Sequence, residues 1–387
     1  MWYISQIGRR EHYALPAHLH RMGQLGLFAT DVWAPWAASS RSLIRSEKLA
    51  QRFEVTMAAA PVIHRSFIAN LFERLRGGDI YQRWTREGTH FGNFAAHKFG
   101  QAGLGPEDSV IGYTAANLEQ LTLAKKRGAK ALHIQVDPGM SWYEMRRQEQ
   151  LAHPEAEDLS PMPGAEFLER MGQEWGQADK VIVHSEHSRV ALLAQGVDAG
   201  RCVVVPPAFK SATTQTARQL DSSRPFRVLF VGNHCLAKGY HVFVDAARQA
   251  GAGFEFLSVG SQTMKSSYIE EASKHVTILG AKSQAGVREQ MKRADVLVFP
   301  TLSDGFGLVQ LEAMTAGLPV IATPCCGEVV KNRVNGLIVP PRDAQAIVSA
   351  LHALKADAER YEQLSLAASL RSLDYSPAFH FEALLGL

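Results

Sequence analysis

The residues best suited to chemistry lie in PTLSDGFGLVQLEAMTAGLPVIAT, residues 300–323. A strand is expected to end at Pro300, a turn bracketed by Gly305 and Gly307 follows, and a helix runs from about Gly307 to Gly317. Gly317 suits the left-handed residue that closes a helix, and Pro319 cannot prolong it. Backbone N–H groups left open at Gly305 and Gly307 suit phosphate or sugar oxygens. Asp304 in the turn and Glu312 on the helix are carboxylates able to accept hydrogen bonds from sugar hydroxyls. Taken alone, Asp304 serves equally well as a helix cap and Glu312 as a solvated side chain.

A second cluster is VGNHCLAKGY, residues 231–240, where a strand runs into a loop carrying Gly232, Asn233 and Lys238. Near the start, IGRREHYALP (residues 7–16) has Gly8 for a tight turn and Arg9, Arg10 and His12 within reach of a phosphate, or simply solvated. In VIVHSEHSR (181–189), Ser185 is placed to cap a helix and Arg189 follows it. In ALHIQVDPG (131–139), strand alternation puts His133, Gln135 and Asp137 on one face, which makes Asp137 a candidate for orienting a hydroxyl.

Several chemistries are excluded. The string Gly305-Phe-Gly307-Leu-Val-Gln310 ends in Gln and lies too late for a dinucleotide fingerprint, and no Gly-Lys dipeptide is present for a P-loop. Neither His-Glu-x-x-His nor Asp-x-Asp occurs, and the four cysteines include no C-x-x-C, so no local spacing suits a metal. Any bound diphosphate must then be neutralised by protein groups.

The elements that position these residues follow from periodicity. Short β-rich runs alternate with helical patterns in two series, the signature of βαβ units and parallel sheets. The first series has strands near residues 2–7, 26–32, 109–113, 131–136, 181–184 and 202–205; the second has FRVLFVG, FEFLSVG, HVTILG, DVLVFP and PVIAT, from residue 226 to 323. At about 150 residues per domain, the 387 residues suggest two domains: 1–209, a Ser/Thr-rich linker at 210–225, and 226–370. A C-terminal segment, 371–387, is expected to pack back on the first domain. Two doubly wound domains in tandem leave a cleft at the carboxyl ends of their strands.

With 46% apolar and 20% charged residues the composition is that of a globular chain, and no apolar run approaches the span of a bilayer. The net charge of +3 conceals a local +6 in residues 1–100, which hold 13 Lys and Arg against 7 Asp and Glu. That excess, with the weakly amphipathic stretch at residues 40–53, suits a phosphate-bearing acceptor or an anionic membrane surface, or only a solvated face. The start of the chain has no secretory pattern, so the expected place is the cytoplasm, with peripheral contact at the inner face of the membrane.

The segment 300–323 closely resembles the nucleotide-sugar site of the retaining glycosyltransferases of family four, whose pattern is acidic-Gly-Phe-Gly, four residues, Glu, then Ala-Met-x-x-Gly-x-Pro-Val. Asp304 stands where Glu is more usual. NRVNGLIVPPRD (332–343) resembles the Asn-Gly-containing ending of the same family. The resemblance implies a GT-B fold, α/β, of two Rossmann-like domains facing across a cleft, and transfer of a hexose-type unit from a nucleotide diphosphate sugar, without a metal or other cofactor, as in polysaccharide biosynthesis. It implies that Asp304, Gly305, Phe306, Gly307 and Leu308 contact the donor sugar and phosphate, that Glu312 holds the ribose, and that Gly280 lies near the base. Lys238 matches the family's diphosphate lysine, whereas Asn233 replaces its arginine, a gap that a protonated His234 or Arg9 is expected to fill. Lys238, Asp304 and Asp137 are the catalytic candidates. Implied partners are the donor and a glycan, lipid-linked or small acceptor, and no nucleic acid. The rivals are a non-catalytic sugar-binding protein, an epimerase and a phosphorylase.

Overall fold

The computed structural model describes residues 1–38, 49, 51–65, 77–209 and 217–387, and the side chain of His12 is outside it. Most of the amphipathic stretch 40–53 and residues 210–216 of the expected linker therefore fall outside the described residues.

Among the described residues, thirteen strands form two all-parallel sheets. The first contains β1 (Trp2–Gln6), β2 (Leu25–Thr30), β3 (Val62–His64), β4 (Ser109–Tyr113), β5 (Lys130–Ile134), β6 (Lys180–Val183) and β7 (Cys202–Val204). Its order is β3-β2-β1-β4-β5-β6-β7. The second contains β8 (Phe226–Val231), β9 (Phe254–Val259), β10 (Thr277–Ile278), β11 (Val296–Phe299), β12 (Val320–Ala322) and β13 (Gly336–Ile338), ordered β10-β9-β8-β11-β12-β13. The edge strands β3 and β13 were not expected from the sequence. Each is three residues long.

Both faces of each sheet are covered, which is why the strands read as nearly continuous apolar runs. In β11, Val296 and Val298 enter one core while Leu297 and Phe299 enter the other. In β4, Val110 and Ile111 divide in the same way. The helix Ile80–Gln101 starts in a complete capping box: the Asp79 carboxylate accepts from Tyr81 and Gln82, and the Gln82 side chain accepts from the Asp79 N–H.

Residues 217–225 are bound to the second domain and are not a free tether. The Arg218 amide donates to Ser365 at 2.8 Å and its guanidinium to Met291 O at 3.0 Å. Arg224 forks onto buried Asp295 with contacts of 2.6 and 2.9 Å. A stretch of polar composition was legible; its anchoring by arginine to the second domain was not.

At the other end, the helix Pro377–Leu385 crosses back to the first domain. Phe381 and Leu384 join the core that holds Leu15, Leu19 and Phe28, and the Phe381 ring stacks on His18 at 4.1 Å. The His380 ring bonds the Pro206 carbonyl. Phe381 is 1% exposed, so Phe381→Ala should cost about 3–5 kcal/mol, read as a loss of that size in a denaturant titration of the full chain.

Candidate functional site

In an open parallel sheet, ligands bind beyond the strand ends where the order reverses. The reversals lie between β1 and β4 and between β8 and β11. Both pairs of strand ends open on one cavity of about 430 Å³. From the first domain come Arg9, Arg10 and Glu11 after β1 and Tyr113 at the end of β4; from the second come Gly232 after β8 and Phe299 and Asp304 at the end of β11. The two domains touch where Gly305 backs onto the loop after β5: a Cβ there would stand 1.9 Å from the Val136 carbonyl oxygen.

Lys238 ends the short turn Leu236–Lys238, and its ammonium is ion-paired with the Asp304 carboxylate. Burial works against that charge, but Asp304, by proximity and hydrogen bonding, outweighs it and holds the ammonium above its ordinary value. The turn is fixed from below by Leu302 N donating to Ala237 O at 2.9 Å. Gly239, at φ +69°, lies against the Pro300 carbonyl, where no side chain fits. Phe306, Gly307 and Leu308 complete this wall.

Glu312 opens on an adjoining cavity of about 440 Å³, which also takes Arg288 and Gln284 from the helix Gln284–Arg293. Burial raises its carboxyl, against the opposing charge of Arg288. Arg9, Glu11 and Leu308 line both cavities, so the two form one trough. The Arg9 Nε is buried and bonds no partner.

Other expected residues make bonds within their own domains. The Asp137 Oδ1 accepts from Gln135 Nε2 and the Gly139 amide, both at 2.9 Å, and it is Val136 of this loop that lines the cavity. His133, Gln135 and Asp137 do share one face, as alternation requires, and are bonded in series. Ser185 is fully buried, and its hydroxyl caps the helix Glu186–Ala194 through Ser188 N at 3.1 Å. Arg189 pairs with Glu186 at 2.8 Å and lies on the Cys202 carbonyl. Asn233 accepts from Ser261, and Gly280 accepts the Gly260 amide; neither lines the trough. Gly8, at φ +86°, donates its amide to Asp31 at 3.0 Å. His234 lines neither cavity; burial lowers its imidazole to about 4 and it stacks on Tyr240 at 4.3 Å.

Glu11 lies in the arginine loop, yet nothing in the sequence marks its burial. Its side chain is 8% exposed, with His184 Nε2 at 3.8 Å and His380 Nε2 at 3.9 Å. Its backbone holds φ +46°. Burial pushes the carboxyl up to about 7, against the opposing pull of Arg10 and the Tyr113 hydroxyl. His184 and His380 are both lowered, chiefly by burial, and at neutral pH supply no charge to it.

The second-domain wall lies in a stretch that resembles known proteins. Residues 225–357 match the family described as glycosyl transferases group 1. The chain is 29% identical to a D-inositol 3-phosphate glycosyltransferase of Nocardia farcinica over 235 residues, 54% of this chain and 52% of that protein. It is 26% identical to the amylovoran biosynthesis glycosyltransferase AmsK of Erwinia amylovora over 184 residues, 43% of this chain and 44% of that one. The chain thus spans about half, or less, of the length of the curated relatives it matches. Among solved structures, that of Anabaena HepE in complex with UDP aligns over 100% of both chains with a TM-score of 0.66 at 15% identity. The fold is GT-B, two Rossmann-like parallel-sheet domains.

Two outcomes follow. Gly305→Ala should force the Val136 loop away and open the domains, seen as an increased radius of gyration in solution scattering; unchanged scattering would refute the contact. Glu11 has a folded value near 7 against an ordinary 4.5. Its contribution to stability is therefore complete below about 4.5 and is lost as pH rises through 7. Glu11→Gln should remove that decline, so the variant and wild-type curves of stability against pH should diverge across this window.

Proposed function

We propose that this protein is a glycosyltransferase that moves a hexose-type unit from a nucleotide diphosphate sugar to an acceptor hydroxyl, with retention of configuration. The observation carrying this reading is the meeting of both topological switch points on one trough that holds Arg9 and Arg10 of the first domain together with Lys238, Asp304 and Glu312 of the second. The diphosphate would lie against Lys238 and the Gly307 backbone, the sugar against Asp304, and the ribose against Glu312.

Arg9 fills the place left by Asn233. It reaches the trough from the other domain and has an unpartnered buried N–H; in this reading the charge on the departing diphosphate would be met by protein cations without a metal. No nucleophile is assigned; the leaving phosphate itself would take the acceptor's proton on the face it departs from. Positioning and charge stabilisation then make the main contributions to rate. Because the HepE neighbour holds UDP, a UDP-sugar is the first donor to test. The acceptor would enter on the first-domain side, where the basic loop suits a phosphate-bearing, glycan or lipid-linked acceptor in the cytoplasm or at the inner membrane face. Among the described residues no helix is long and apolar enough to cross a membrane.

A thermal-shift screen of UDP-, GDP- and ADP-sugars tests donor binding, since ligand at 100 times its Kd stabilises by about 2.7 kcal/mol. With the donor so identified, Lys238→Ala and Glu312→Ala should each lower kcat/KM by about 100-fold or more. Transfer at wild-type rates by both variants would overturn the site, and donor binding with no transfer to any acceptor or water would favour a non-catalytic sugar-binding protein.

A further inference from the structure

Away from the trough, a second group of polar side chains meets where the domains join. The helix Met140–Ala152 ends against the second domain, and the chain after it is seated there: Leu236 N donates to Glu157 at 2.9 Å, Lys265 N donates to Ala156 O at 2.8 Å, and Ala156 enters the second domain's core. At this junction the Glu149 Oε2 faces His241 Nε2 at 3.4 Å and His153 Nε2 at 4.0 Å. Glu149 and His153 are one helical turn apart, joined by His153 N donating to Glu149 O at 2.9 Å, whereas His241 stands on the helix Tyr240–Gln249 of the other domain.

Three features make this more than a chance cluster. One ligand atom from each residue falls within 4.8 Å of the other two; a tetrahedral ion with bonds of about 2.0–2.1 Å needs edges of about 3.4 Å. His153, 37% exposed on its side chain, has the freedom to close the remaining distance. Second, the Glu149 side chain is 5% exposed, yet its Oε2 makes no aligned hydrogen bond and has His241 Nε2 at 3.4 Å. Its Oε1 is occupied by Arg342 at 2.5 and 2.6 Å, which fixes the carboxylate and leaves Oε2 to point into the group. Third, Glu155 Oε1 lies 3.4 Å from His153 Nδ1. A carboxylate on the far nitrogen selects the tautomer whose Nε2 lone pair faces the site, the outer-shell arrangement usual for metal-binding histidines.

We infer that Glu149, His153 and His241 form a binding site for a divalent transition ion of the Zn²⁺ class that bridges the two domains. Two imidazoles and one carboxylate oxygen suit such an ion, with a fourth position open to water on the exposed His153 side. None of the three residues lines the donor trough. The site is nonetheless coupled to it through the chain, because His241 follows Lys238 by less than one helical turn. An ion here would fasten the first domain to the segment that presents Lys238. Local spacing does not reveal it, since the third ligand comes from the other domain.

The test is a titration of the chelator-stripped full-length chain with Zn²⁺ by calorimetry, with Co²⁺ absorption as the reporter of coordination. The expected result is one saturable ion per chain, a tetrahedral N/O-type Co²⁺ spectrum, and a thermal midpoint raised by Zn²⁺. His153→Ala, at a partly exposed position, should weaken binding at least about tenfold and abolish the thermal shift, and Glu155→Gln should weaken it about tenfold. No saturable binding by the wild type, or wild-type affinity in His153→Ala, would overturn the site.

Discussion

The arrangement depends on one close approach between backbones. Gly305 has no room for a side chain because the Val136 carbonyl fills that space, and this contact brings the loop after β11 onto the loop after β5. In each parallel sheet the polar strand ends are the places left open by the covering helices. Bringing those two open edges face to face produces a trough with walls from both domains. A bulkier residue at this position would separate Arg9 and Arg10 from Lys238 and Asp304.

Within the trough the charges balance each other before any ligand arrives. Lys238 is held by Asp304, so its ammonium is already oriented, and an anionic ligand would share an ordered ammonium instead of ordering a free one. Arg9 is different, with a buried N–H that nothing satisfies, a cost that native structures seldom carry without a partner. Glu11, strained at φ +46° and enclosed by Tyr113, His184 and His380, closes the first-domain side.

The same junction is reinforced from the opposite direction. The segment 149–158 inserts into the second domain, and the helix Pro377–Leu385 inserts into the first. Two reciprocal crossings limit relative motion more than a single linker would, and they place the Glu149, His153 and His241 group close to the turn bearing Lys238.

The second domain was largely legible in its sequence. Five of its six strands fall in apolar runs readable in the sequence, and the sequence around Asp304, Gly305, Gly307 and Glu312 places an acidic turn and a helix in order along the chain, so local chemistry determined them. The alternation that puts His133, Gln135 and Asp137 on one face was equally readable, because it requires only the period of a strand. Which of these residues line the trough was a tertiary matter. Asp137 was claimed by Gln135 and Gly139, Ser185 by its helix, and Asn233 by Ser261, whereas Arg9 and Glu11, from a loop with no distinctive pattern, reached the trough. Local spacing decides which groups share an element and a face. Only the packing of one domain on the other decides which are buried, which are already paired, and which of those distant in sequence come within bonding distance.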